Sequence, residues 1–290
     1  MTAPLSEHRV ACDRSRSPRR TAWGTLHRGT GKRHVRVRFY GMLNDHLPIE
    51  GRQRDAVLHF DVSPSVKAVI EAFGVPHVEV ALMIRSCRAL QFTDRVSPDD
   101  RIAVYPALSA LDVSGLPTAA IMPPQPRRFV ADIHLRRLSR WLRLLGIDTE
   151  GGQPKLDLVR ESIAQRRILL TRDRCLLMRS DLRFGYWVRS TDPVEQVTEV
   201  MQRFDLAGQM QPLSRCSVCN GLLASVAKQD VVSQLPPRTA LWLDEYVQCG
   251  RCGKLYWKGT HAERIGAMID RFEATHADRS LPGAGQSAKL

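Results

Sequence analysis

The sequence predicts a multidomain protein: an α+β unit, then an α/β unit built on a parallel sheet, then a small cysteine-knuckle unit. Three observations carry this reading. First, short apolar runs at Phe129-Val130-Ala131, Ile168-Leu169-Leu170 and Tyr186-Trp187-Val188 alternate with helix-period segments, as strands of a parallel sheet do. Second, residues 34–108 read β-β-α-β-β. Third, Cys216, Cys219, Cys249 and Cys252 make two CxxC pairs. Each apolar run leads to an aspartate, namely Asp132, Asp173 and Asp192. The carboxyl ends of parallel strands share one edge, where sites form. Carboxylates gathered there repel each other and call for a divalent cation, so metal-dependent phosphate chemistry is the leading expectation.

A chain of 290 residues is long enough for two or more cores. Its net charge of +13 is uneven, with +6 in residues 1–33, +5 in 127–210 and none in 34–111. Such a bias suits a polyanion, nucleic acid before membrane. No run approaches the ~20 apolar residues that a membrane span needs. The N-terminus has arginines without the apolar core of a secretory signal. The expected location is therefore the cytoplasm, where paired cysteines bind metal in preference to forming disulfides.

Residues 1–33 lack periodic apolar positions and read as a disordered basic tail. In 34–108, Val35, Val37 and Phe39 alternate with Arg36, Arg38 and Tyr40, the pattern of a half-buried strand. A second strand is expected over 56–62. Ser63-Pro64-Ser65 opens a helix whose Val66, Val69, Ile70 and Phe73 share a face, closed by Gly74. Strands over 80–84 and 101–105 complete the unit. The phrases Ser65-Val66-Lys67-Ala68-Val69-Ile70-Glu71, Gly74-Val75-Pro76-His77-Val78-Glu79-Val80 and Asp99-Asp100-Arg101-Ile102-Ala103-Val104-Tyr105-Pro106 resemble the ubiquitin-like β-grasp domain that precedes some Mut-7 C-terminal RNase domains. Sulfur-carrier relatives of that fold end in Gly-Gly. Here the segment runs into Ala107-Leu108-Ser109, so docking to a protein partner or scaffolding is the expected role. Residues 109–126, with Pro117, Pro123, Pro124 and Pro126, read as a linker.

In residues 127–210, Asp132 ends the first strand. The next helix carries Leu135, Leu138, Leu142 and Leu145 along one stripe. Arg136, Arg140 and Arg143 share the opposite side, and Arg137 flanks them. A solvated face and a phosphate-contacting face are both open for these arginines. A second strand is expected over 147–149. Leu156, Val159 and Ile163 mark the next helix, whose first turn holds Asp157, a favourable place for an acid on structural grounds alone. The run Ile168–Thr171 is the clearest buried strand and delivers Arg172 and Asp173. Pro193 starts a helix with Val194, Val197 and Val200 on one side. The leftover Cys175, beside Leu176 and Leu177, reads as a small buried side chain.

These features, with Arg140-Trp141-Leu142-Arg143-Leu144-Leu145-Gly146-Ile147-Asp148, Arg167-Ile168-Leu169-Leu170-Thr171-Arg172-Asp173, Arg215-Cys216-Ser217-Val218-Cys219-Asn220-Gly221 and Tyr256-Trp257-Lys258-Gly259-Thr260-His261, resemble the Mut-7 C-terminal RNase domain over 128–261. The resemblance implies a PIN-like nuclease fold and RNA cleavage dependent on Mg²⁺ or Mn²⁺. It places Asp132 and Asp173 as metal-holding acids, with Asp157 at a position where the family shows another. Asp148 and Asp192 stay open between ligand and structural roles. Arg136, Arg140 and Arg172 are the candidates for RNA phosphate contact. Helix capping is the competing role for every one of these acids.

Residues 211–262 read as a zinc ribbon. Two CxxC knuckles supply four thiolates, which fill tetrahedral Zn²⁺ and leave no open position, so the site is structural. His261 reads as a surface or substrate-contacting residue in preference to a spare zinc ligand. Trp242, Tyr246, Tyr256 and Trp257 are open between base stacking and ribbon packing. Residues 263–290 read as a helix and a disordered tail. The expected function is a metal-dependent ribonuclease. The rival is a non-catalytic RNA-binding or adaptor protein with a structural zinc ribbon, and a DNA-directed nuclease is a third reading.

Overall fold

The computed structural model describes residues 19–20, 26–106, 123–152, 157–235, 243–257 and 266. Most of the basic tail, residues 109–122 of the linker, the Ala107-Leu108-Ser109 ending, Trp242, His261 and nearly all of 263–290 lie outside the described residues. In chain order the first strands are β1 (Arg19–Arg20), β2 (Leu26–Arg28), β3 (Arg33–Phe39) and β4 (Asp55–Phe60), followed by helix α1 (Val66–Ala72) and strands β5 (Val80–Arg85), β6 (Arg88–Ala89) and β7 (Arg101–Pro106). Then come β8 (Phe129–Ala131), α2 (Arg136–Leu144), β9 (Thr149–Gly151), α3 (Leu158–Gln165), β10 (Ile168–Thr171), α4 (Arg174–Leu177), β11 (Gly185–Trp187) and α5 (Pro193–Phe204). The last elements are β12 (Leu223–Val226), α6 (Lys228–Val231), β13 (Tyr246–Cys249) and β14 (Leu255–Trp257).

Two compact units result: Met1–Pro124 with Asp157–Trp187, and Gln125–Leu156 with Val188–Leu290. The segment 127–210, expected as one domain, contributes to both.

In the first unit, a mixed sheet runs in the order β1-β2-β4-β3-β7-β5-β6. Strand β3 is antiparallel to β4 and parallel to β7. The alternation at Val35, Val37 and Phe39 puts all three in the core with Val66, Val69 and Ile70 of α1 and Phe73 just past its end. Ser65 caps α1, its hydroxyl accepting from Ala68 N–H at 3.2 Å, which removes one orphan donor of the first turn. Strand β4 stops at Phe60, short of the expected 62, and Val62 is exposed. Within the segment expected to be a disordered tail, β2 pairs in parallel with β4. The unused edge of β4 supplies the hydrogen-bonding groups, so no apolar alternation is needed to recruit it.

The same unit holds α3, β10, α4 and β11, with β10 and β11 parallel. All four residues of β10 are buried, consistent with a strand covered on both faces. In α3, Val159 and Ser162 are buried, whereas Ile163, expected in the core, is 42% exposed.

In the second unit β8 and β9 are parallel, and β9 starts two residues later than expected. Helix α2 buries Leu138 and Leu142 and packs against α5. Pro193 sits at the start of α5; Val197 and Val200 are buried, and Val194 is partly exposed at the first turn. Gly151, with φ of 101°, lies against β8 so closely that a Cβ would fall 2.1 Å from the Ala131 carbonyl oxygen. Strands β12, β13 and β14 form an antiparallel ribbon. Its small core is Val231, Leu235 and Tyr246, backed by Trp257.

Candidate functional site

The strand ends deliver their aspartates as the apolar runs imply. Asp132 follows β8, is 7% exposed, and its carboxylate accepts from His134 N–H at 3.3 Å. Asp173 lies two residues past β10. The Thr171 hydroxyl accepts from its N–H at 3.0 Å, and its Oδ1 accepts from Cys175 N–H at 2.9 Å. Asp157 caps α3 through Arg160 N–H at 3.1 Å. Asp192 caps α5 through Val194 and Glu195 N–H at 2.9 and 3.0 Å. Every one of these four acids thus performs a helix-capping task. Asp148 has a different role: it accepts from Asn220 Nδ2 at 2.8 Å and faces Arg215 at 3.4 Å.

Arg136, Arg137 and Arg140 are exposed on α2, and Arg172 is half-buried. Arg143, expected on that same outer side, is instead 4% exposed. Its guanidinium donates to the carbonyl oxygens of Thr149 at 2.7 Å, Gly151 at 2.9 Å, Val218 at 2.8 Å and Ser217 at 3.3 Å. Strand β9 and the first cysteine knuckle cover this end of the helix, so one planar fork ties them together. Burial lowers the Arg143 pKa, and the charges of Glu150 and Cys216 act against that shift. Asn220 reinforces the junction: its Oδ1 accepts from Thr149 N–H at 3.1 Å.

The cysteine quartet assembles as its spacing implies. Its four Sγ atoms lie within 4.8 Å of one another, with Cys216–Cys252 at 3.6 Å and Cys219–Cys249 at 3.4 Å. Tetrahedral Zn²⁺ with bonds of ~2.3 Å sets sulfurs roughly 3.8 Å apart, so the quartet fits a structural zinc ion. Burial raises the Cys216 thiol, but hydrogen bonds from the Tyr256 hydroxyl and from backbone N–H groups of Cys219 and Val218 bring it down to about 6. Burial and the neighbouring sulfurs push Cys219 up to about 12. Thiols this close compete to stay ionised, and a cation among them removes the conflict. The Tyr256 hydroxyl approaches Cys216 Sγ at 3.1 Å and accepts from Ser217 N–H at 2.9 Å. Tyr246 is buried in the ribbon, so both tyrosines have structural work there. Among the described residues, this quartet is the one group of three or more metal-capable side chains. Cys175, expected to be buried, is half-buried and disulfide-bonded.

Two family models match the chain: Mut7-C ubiquitin over residues 32–112, and Mut7-C RNAse domain over residues 127–269. The chain carries a Mut7-C ubiquitin domain followed by a Mut7-C RNAse domain. No curated protein and no solved structure matches it. Among the described residues, no helix is long and apolar enough to cross a membrane.

The Mut7-C ubiquitin domain makes specific contacts with the β10–β11 segment of the Mut7-C RNAse domain, inside the first unit. Glu79, 2% exposed, lies 2.8 Å from His46 Nε2 and accepts from Trp187 N–H at 2.6 Å. Arg174, next to Asp173, donates to the His46 carbonyl at 3.1 Å, with its guanidinium 5.3 Å from the Trp187 ring centre. His77 Nε2 donates to the Leu182 carbonyl at 3.1 Å. Sequence reading missed all of these. Their one local signal is a pair of polar residues, His77 and Glu79, flanking an otherwise apolar strand start.

Proposed function

We propose that this protein is a cytoplasmic, metal-dependent ribonuclease with a PIN-like catalytic fold. The observation that carries the reading is the Mut7-C RNAse domain match, whose span includes Asp132 and Asp173 just beyond parallel strands. Their carboxylates are the hard oxygen donors that Mg²⁺ or Mn²⁺ prefers. Magnesium is commonly held by one or two carboxylates plus waters and substrate phosphates, so a group of three acids is not required. When bound, such an ion lowers the pKa of water and offsets phosphate charge. In this reading Asp132 and Asp173 hold the ion, and Asp157 assists by orienting water. Exposed Arg136 and Arg140, together with Arg172, bind the RNA backbone. The cysteine quartet holds structural Zn²⁺.

Purified protein should cleave a single-stranded RNA with Mn²⁺, and Asp132→Asn and Asp173→Asn should each lower kcat at least ~100-fold. The capping duties of all four acids favour a second reading, a non-catalytic RNA-binding adaptor. RNA binding that survives in EDTA, with no product in Mn²⁺ and no effect of either substitution, would establish that reading and overturn the first.

A further inference from the structure

A cavity lies in the first unit, at the end of the β10–β11 pair opposite Asp173. It measures about 590 Å³, within the range of ligand pockets. Ser162 and the exposed Ile163 of α3 form one wall, with Arg166 just past the helix end. The chain entering β11 forms the other wall with Ser180, Arg183 and Phe184. Arg166 and Arg183 are both exposed, and among the described residues neither has a carboxylate partner. Asp181 also lines the cavity. Its charge is matched by Arg179, which donates to it twice, at 3.1 and 2.8 Å. Two uncompensated guanidinium groups therefore outweigh the roughly half negative charge at the end of α3. Arg166 is held in the left-handed region at φ 53°. This is the C-cap of α3, where the Arg166 N–H donates to the Ile163 carbonyl at 3.4 Å and the Arg167 N–H to the Ser162 carbonyl at 2.9 Å, so the turn that ends the helix sets Arg166 at the cavity wall.

We infer that this cavity takes a nucleotide unit of the RNA strand away from the cleaved bond, its phosphate between Arg166 and Arg183 and its base against Ile163. The inference rests on the ribonuclease reading for the identity of the strand. Strand β10 spans roughly 13 Å for its four residues, so a phosphate here is not the one at Asp173. The cavity acts as a grip on substrates several nucleotides long.

Fluorescence anisotropy with 5′-fluorescein decauridylate and with uridine dinucleotide, without added magnesium or manganese, tests this on the full chain. R166N/R183Q removes both charges, and Asn suits the left-handed backbone. The double variant should bind the decamer about tenfold more weakly, with a salt slope smaller by ~1.4, the value for two lost single-strand phosphate contacts. R183Q alone should show about half of that slope change. Affinity for the dinucleotide should change little. Unchanged decamer affinity and slope would overturn the inference, and so would a decamer that the unsubstituted protein does not bind. Absence of RNA cleavage by the unsubstituted protein would instead defeat the ribonuclease reading, leaving the binding contrast to decide this one.

Discussion

Glu79 accepts a hydrogen bond from the Trp187 backbone N–H at 2.6 Å, so a side chain of the Mut7-C ubiquitin domain completes the end of a strand in the Mut7-C RNAse domain. A sheet edge normally leaves such a donor to water. Here the carboxylate is almost fully buried and also serves His46.

Removing that carboxylate leaves a buried N–H and a buried imidazole unsatisfied. Glu79→Ala should cost about 3 kcal/mol in urea unfolding. Glu79→Gln keeps an acceptor oxygen and should cost less than half as much. Equal losses in the two variants would show that the acceptor is not what matters.

Arg143 holds four carbonyl oxygens of two separate stretches of chain. Arg143→Met keeps most of the volume but strands those acceptors, and should destabilise the protein by about 3 kcal/mol. Arg140→Met, on the exposed face, should stay within about 0.5 kcal/mol. Thermal denaturation of the pair, side by side, checks the contrast.

Metal analysis of purified protein should give about one zinc per chain. Cys216→Ser with Cys249→Ser should abolish it and raise protease sensitivity of the ribbon. Tyr256→Phe keeps the ring and loses the hydroxyl beside Cys216. It should weaken zinc retention against a chelator by about tenfold, as loss of an outer hydrogen bond does at other sites.

Gly151→Ala would place a methyl group against the Ala131 carbonyl at a backbone angle that Ala resists. A cost of about 3 kcal/mol or more is expected. Gly74 has a comparable positive φ of 81° but nothing within 4 Å. Gly74→Ala should therefore cost only ~1 kcal/mol. Soluble yield and melting temperature of the two variants would separate packing from backbone strain.

What the sequence revealed follows the range of the interactions. Alternation exposes β3 because one face is buried, and an unbroken apolar run exposes β10 because both faces are. The caps at Asp132, Asp173 and Asp192 were legible for the same local reason. Arg143 was not, since it lies on the same side of α2 as Arg136 and Arg140, and what covers it comes from β9 and from residues 217–218. Strand β2 has no pattern of its own and depends on an edge supplied by β4. Ile163 continues an apolar period, yet Ser162 takes the buried place because its hydroxyl donates to the Arg167 carbonyl at 2.6 Å. Glu79 and Trp187 are 108 positions apart, beyond any periodic signal.

The junction between the first cysteine knuckle and β9 reaches further than the ribbon itself. Val218 and Asn220 hold β9 through Arg143 and Thr149, and β9 lies beside the strand that ends at Asp132. Oxidants that attack the sulfurs would therefore slacken the frame of a distant carboxylate, making the ribbon a fuse for the chemistry proposed there.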